Sequence, residues 1–131
     1  MPCLKNRRIL LVDDEPAVRR STRLFLEEEG FECREAEDAR EALALLDGGL
    51  HVDLIVSDYQ MPVISGLDFL KALSYRVNGQ HIPVILNSGN VTDEMDRKAG
   101  EMGAFAVLKK PIDYREFLKK VCRACTLPYE E

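Results

Sequence analysis

The sequence predicts one α/β domain, a (βα)5 chain whose parallel sheet is covered by helices on both faces. Three observations predict it: five short apolar runs of strand length, stretches with helical apolar spacing between them, and glycines where those stretches stop. Parallel strands need long crossover connections, and the intervening helices supply them.

The first run is Ile9-Leu10-Leu11-Val12. Pro16 then sits in the first helical turn, where its missing N–H costs nothing, and Val18, Leu24 and Phe25 mark the apolar side of a helix closed by Gly30. Phe31 to Ala36 is the weakest strand. The second helix carries Ala39, Ala42, Leu43 and Leu46 and stops at Gly48-Gly49, which lead to the third strand, Val52 to Val56. Leu67, Leu70 and Leu73 line the third helix, followed by Gly79 and the fourth strand, Ile82 to Leu86. The fourth helix is poor: Val91, Met95, Ala99 and Met102 are its one apolar stripe, and Gly100 weakens it, so it should be loosely held before Gly103 ends it. Ala104 to Leu108 is the fifth strand. Tyr114, Phe117, Leu118, Val121, Cys122 and Cys125 fall on one stripe of the last helix.

With 131 residues, 46% hydrophobic and 31% charged, the chain has the size of a single domain spanning 1–131, with its core at about 6–126 and flexible ends at 1–5 and 127–131. A net charge of -5 made of interspersed acids and bases lacks the basic stripe that nucleic-acid binding requires. No apolar run reaches the 18 or so residues of a membrane span, and the start lacks the apolar stretch of a signal peptide, so a cytoplasmic location is expected. The cysteines at 3, 33, 122 and 125 read as reduced thiols; Cys122 and Cys125 form a C-x-x-C without a second pair, and their helical stripe makes them core-facing.

Ligands of an open parallel sheet bind outside the carboxyl ends of its strands. Strand one ends in Asp13-Asp14-Glu15, strand three in Ser57-Asp58, strand four in Asn87-Ser88-Gly89, and strand five in Lys109-Lys110-Pro111. If Asp13, Asp14 and Asp58 converge at about 5 Å, each pair repels by roughly 3 kcal/mol, so a cation must compensate. Magnesium suits oxygen ligands that bridge to a phosphate. One aspartate alone is better read as a helix cap, but three at neighbouring strand ends are not. Lys110 can pair with Asp58 and then with phosphate oxygens, and Ser88 can donate a hydrogen bond to the same group. Lys109 is the rival lysine, sent to the other face by strand alternation.

The run Leu11 to Glu15, the segment Ser57-Asp58-Tyr59-Gln60-Met61-Pro62-Val63-Ile64-Ser65-Gly66, the stretch Pro83 to Gly89 and Lys110-Pro111 resemble the receiver (REC) domains of two-component response regulators, of the chemotaxis-receiver type, over nearly the whole chain. The resemblance implies a flavodoxin-like, doubly wound sheet of strand order 2-1-3-4-5. It implies that Asp58 takes a phosphoryl group from a sensor histidine kinase or phosphotransfer protein. Mg2+ would be held by Asp13, Asp14, Asp58 and the backbone carbonyl of Gln60, while Ser88 and Lys110 bind the phosphoryl group. The domain would be no enzyme beyond its own phosphotransfer and autodephosphorylation, controlling an effector protein or fused output domain through the surface of helix four, strand five and helix five; a phosphorylation-dependent homodimer is left open. Met61, Pro62 and Gly66 would shape the loop after Asp58, and Gln60 and Asn90 would set the phosphoryl lifetime. The family's switch pairs Ser88 with an aromatic three residues before the lysine. Here that position is Val107, and Phe105 is the aromatic expected on the same face. Kinase specificity would lie on the exposed face of helix one, around Val18, Arg19 and Thr22.

Three other readings fit less well. An aspartyl-nucleophile phosphatase of the haloacid dehalogenase type resembles D-x-D at the strand end, not the adjacent Asp13-Asp14. A nucleotide or flavin module needs a glycine- or hydroxyl-rich loop after strand one, where Asp13-Asp14-Glu15 would repel a pyrophosphate. A receiver-like interaction module that is never phosphorylated has no need of the full set of acids, serine and lysine.

Overall fold

The computed structural model describes residues 7–74 and 82–125. Five strands, β1 (Arg8–Val12), β2 (Glu32–Ala36), β3 (Leu54–Asp58), β4 (Val84–Ser88) and β5 (Ala106–Lys109), alternate with helices α1 (Pro16–Glu28), α2 (Ala39–Asp47), α3 (Gly66–Ser74), α4 (Asp93–Glu101) and α5 (Tyr114–Ala124). All strand pairs are parallel, in the order β2-β1-β3-β4-β5. The flavodoxin-like doubly wound fold implied by the resemblance is the fold observed. Gly79, Cys3 and the two expected flexible ends lie outside the described residues.

Alternation along the central strands divides the core in two. On one face Ile9, Leu11, Leu54, Val56 and Ile85 pack against Leu26, Phe117, Val121, Cys122 and Cys125 of α1 and α5 and the turn that follows α5. On the other, Leu10, Val12, Ile55, Val84 and Leu86 meet Ala39, Ala42, Leu46, Phe69, Leu70 and Ala99 of α2, α3 and α4. Phe69 and Phe117 are wholly buried, which contributes roughly 2–3 kcal/mol each. Side chains cap three helix starts: Asp38 bonds the Glu41 N–H, Thr92 the Met95 N–H, and Asp113 the N–H groups of Arg115 and Glu116. The C-x-x-C pair is core-facing as expected, and burial pushes the Cys33 and Cys125 thiols up to about 12, so they are inert as nucleophiles.

Several expectations need correction. β3, β4 and β5 end two, two and one residues beyond the predicted borders, because Ser57-Asp58, Asn87-Ser88 and Lys109 remain in the parallel ladder although their side chains are polar. Phe31 and Phe105 fall just before their strands. In α1 the buried residues are Thr22 and Leu26, whereas Leu24, 200° around the helix from Leu26, is 58% exposed. In α3 the wholly buried residue is Phe69, with Leu67 and Leu73 only partly covered. α4 is loosely held as predicted: Ala99 is its one buried residue.

Candidate functional site

The carboxyl edge of the sheet gathers the acids. One carboxylate oxygen each from Asp13, Asp14 and Asp58 lies within 4.8 Å of the others; Asp13 and Asp58 are buried and Asp14 is exposed. Neither Asp13 nor Asp14 is the cap of the first helix: the N-cap of α1 is Glu15, which makes no side-chain capping bond. Asp13 instead accepts the Glu15 N–H at 2.9 Å, which turns its second oxygen toward Lys110. The Lys110 ammonium stands 3.5 Å from Asp13 Oδ2 and 3.3 Å from Asp58 Oδ2, while Lys109 is exposed on the far side of the strand.

These charges set the local protonation. Burial raises the Asp58 pKa from its ordinary value, with help from the Asp13 charge and against the pull of Lys110 and the Gln60 N–H. Burial works to lower the Lys110 pKa, but the charges of Asp13 and Asp58, with hydrogen bonds to both, outweigh it and hold the ammonium above a free lysine. The lysine is therefore a fixed cation for the pocket. One cation does not balance three acids. Clustered hard oxygen donors with a charge deficit fit a small divalent ion such as magnesium.

The loop after Asp58 is built to pass close beneath it. The Gly66 N–H bonds Tyr59 O at 2.8 Å, and a Cβ on Gly66 would stand 2.9 Å from Asp58 O and from Tyr59 Cα. Only glycine fits there, as the sequence suggested. Sequence reasoning missed Val63: its φ of 70° and the 2.8 Å bond from Ile64 N–H to Pro62 O make it the centre of a tight three-residue turn, a strained place for a β-branched residue.

Other expected residues are placed differently. Ser88 is wholly buried, and its hydroxyl both donates to Asn90 O and accepts the Asn90 N–H at 3.2 Å, within its own loop. Gln60 is exposed, and its N–H bonds Asp58 Oδ1 at 3.3 Å. Val107 packs into the core on the α2–α4 side, but Phe105 lies outside β5 and is 43% exposed, joining neither core cluster. The shared face expected of Phe105 and Val107 required a longer strand than forms. Helix one also differs: Thr22 is buried, and Arg19 is turned inward, its guanidinium bonding Glu35 Oε1 at 2.6 Å and the Asp13 carbonyl at 2.5 Å. The exposed face of α1 is Ala17, Arg20, Ser21 and Leu24 instead. A groove of about 300 Å³, lined by Val18, Ser21 and Thr22 of α1 and by Lys110, Ile112 and Tyr114, lies beside that face and reaches Lys110.

Asn87 was also overlooked. It is buried in β4, and its Oδ1 has no hydrogen-bond partner among the described residues, a state that costs about 1–3 kcal/mol.

A five-stranded doubly wound sheet with a lysine-bridged acid cluster at its carboxyl edge is the arrangement expected of a receiver domain. The sequence profile of the response regulator receiver domain matches residues 9–122, and the chain belongs to that family. It is 38% identical over 115 residues to the transcriptional regulatory protein CpxR of Escherichia coli, covering 87% of this chain and 47% of that protein. A probable transcriptional regulatory protein of Picosynechococcus is 36% identical, with 89% and 48% covered. The chain thus spans about half the length of these curated relatives. An uncharacterised 14.6 kDa protein of Leptolyngbya boryana, 34% identical, is matched over 95% of both chains. Among solved structures, the chemotaxis protein CheY4 of Vibrio cholerae superposes with a TM-score of 0.83 at 30% identity, over 90% of this chain and 98% of that one. A CheY-like receiver domain of Methanospirillum hungatei gives 0.81 at 32%, over 92% and 94%.

Proposed function

We propose that this chain is the phosphoacceptor of a two-component phosphorelay, with Asp58 as the acceptor and a histidine kinase or phosphotransfer protein as the donor. The observation that carries this reading is the Lys110 ammonium bridging Asp13 and Asp58 beside Asp14 at the sheet edge. An Asp58 carboxylate oxygen attacks the phosphorus, the P–N bond to the donor imidazole breaks, and the imidazole keeps the electron pair and takes up a proton. Asp13, Asp14, Asp58 and the Gln60 carbonyl are the groups that would hold magnesium. The ion would supply positive charge to the phosphoryl oxygens. Lys110 supplies charge to the same oxygens, and Ser88 turns from Asn90 to donate its hydroxyl. The groove of α1 and the β5–α5 turn ends at Lys110, which makes it the seat for the donor. The chain itself catalyses only its own phosphotransfer and autodephosphorylation.

Output follows from the weakest packing. With Ala99 alone buried, α4 is the element that yields most readily, so phosphorylation shifts α4 and remodels the α4–β5–α5 surface toward an effector or output domain. Hydrogen exchange over residues 88–103 that is unaltered by beryllofluoride would defeat this part. For the acceptor, the protein is incubated with magnesium and acetyl phosphate and weighed intact. Wild type gains one phosphoryl group and Asp58→Asn gains none; an unmodified wild type, or a modified variant, refutes the proposal.

A further inference from the structure

Asn87 is left unused by that mechanism. It stands in β4 with 5% of its surface exposed, and its backbone carbonyl takes the Tyr59 N–H at 2.7 Å. The register sets Asp58 directly beside it on β3 and Leu108 beside it on β5. Alternation puts these three on one face of the sheet, and the Lys110 ammonium, 3.3 Å from Asp58 Oδ2, reaches the same face from just past β5. Ile85, the previous β4 residue on that face, belongs to an apolar cluster, so an aliphatic side chain at 87 would complete the core without stranding an acceptor. An amide occupies the place instead, next to the acceptor aspartate.

Lys110 is the donor within this row. Its ammonium has three N–H groups, and Asp13 and Asp58 take two of them at 3.5 and 3.3 Å. Esterification of Asp58 takes the full negative charge off that carboxylate, and the ammonium then has an N–H to place on another acceptor at the same spot. We propose that the Asn87 Oδ1 accepts an N–H of the Lys110 ammonium as Asp58 is being phosphorylated, so that Asn87 is a positioning residue for the lysine during the transfer. The assignment rests on the phosphoacceptor reading.

The test compares wild type with Asn87→Leu, which keeps the branched shape and the number of heavy atoms and removes both polar atoms. Each is phosphorylated with acetyl phosphate and magnesium, and wild type is also observed by carbon-detected NMR before and after beryllofluoride with magnesium. At saturating acetyl phosphate the variant takes its one phosphoryl group at least fivefold more slowly, with the half-saturating concentration within twofold of wild type. The Asn87 side-chain 13Cγ resonance of wild type moves downfield with beryllofluoride, as its oxygen gains a donor. Equal maximal rates, or an Asn87 13Cγ resonance that stays put while amides around Asp58 shift, overturn the assignment. Since the carbon measurement needs wild type alone, it decides the matter even if the variant does not fold. Wild type that takes no phosphoryl group would instead remove the phosphoacceptor reading.

Discussion

Neutralising Asp58 should make the metal-free protein more stable at neutral pH. The carboxylate is repelled by Asp13 across at most 4.8 Å, about 3.5 kcal/mol at an effective dielectric near 20. Asp14 adds a share roughly halved by its exposure, and Lys110 at 3.3 Å returns about 5 kcal/mol of attraction. The Coulomb contributions nearly cancel, so burial decides the sign, in keeping with the raised Asp58 pKa. Asp58→Asn should therefore gain on the order of 1 kcal/mol, or about 3–5 °C in Tm for a domain of this size. A raised folded-state pKa means that the folded chain holds the extra proton more tightly than the unfolded one. The variant's advantage is then absent below the unfolded carboxylate pKa, opens as pH rises through the folded value, and stays constant above it. Excess magnesium stabilises wild type more than the variant, which has lost an anionic ligand, so the gap narrows. Urea titrations at several pH values, with EDTA or magnesium, measure all of this. A variant less stable than wild type at neutral pH in EDTA would refute the balance of forces drawn above.

Three further outcomes are expected. Val63 is 77% exposed, so its side chain contributes little burial while its positive φ costs roughly 1–3 kcal/mol; Val63→Asn should gain about 1 kcal/mol in urea unfolding, whereas Val63→Thr, still β-branched, should gain none. Gly66→Ala places a methyl against backbone that has nowhere to go and should cost about 2–3 kcal/mol by thermal melting, with slower acetyl phosphate labelling as Asp58 is displaced. Asp14→Ala should weaken magnesium binding by well over tenfold in calorimetric titration, with equal affinities counting against its place in the site.

Local chemistry made most of the fold legible. Apolar runs at strand length, helical spacing and the glycines that follow helices need only nearby residues to be recognised, and Gly30, Gly49 and Gly103 do take positive φ. What failed depended on partners distant in sequence. Ser57, Asn87 and Lys109 look like loop residues by polarity, yet the parallel ladder keeps them in strands because their neighbours' backbones are there to pair with. Leu24 was misplaced and Phe69 left out because apolar character does not say which side of a helix meets the sheet.

By itself the sequence determined the alternation of strands and helices, the two-faced sheet and the identity of the charged groups at its carboxyl edge, since these follow from side-chain period and residue type. Tertiary structure alone decided that Lys110 stands between Asp13 and Asp58, that Arg19 turns inward and Phe105 outward, that Val63 is strained, and that Asn87 lies beside Asp58. Each of these is a distance or an angle between segments far apart in the chain, and only the register of the packed sheet sets it.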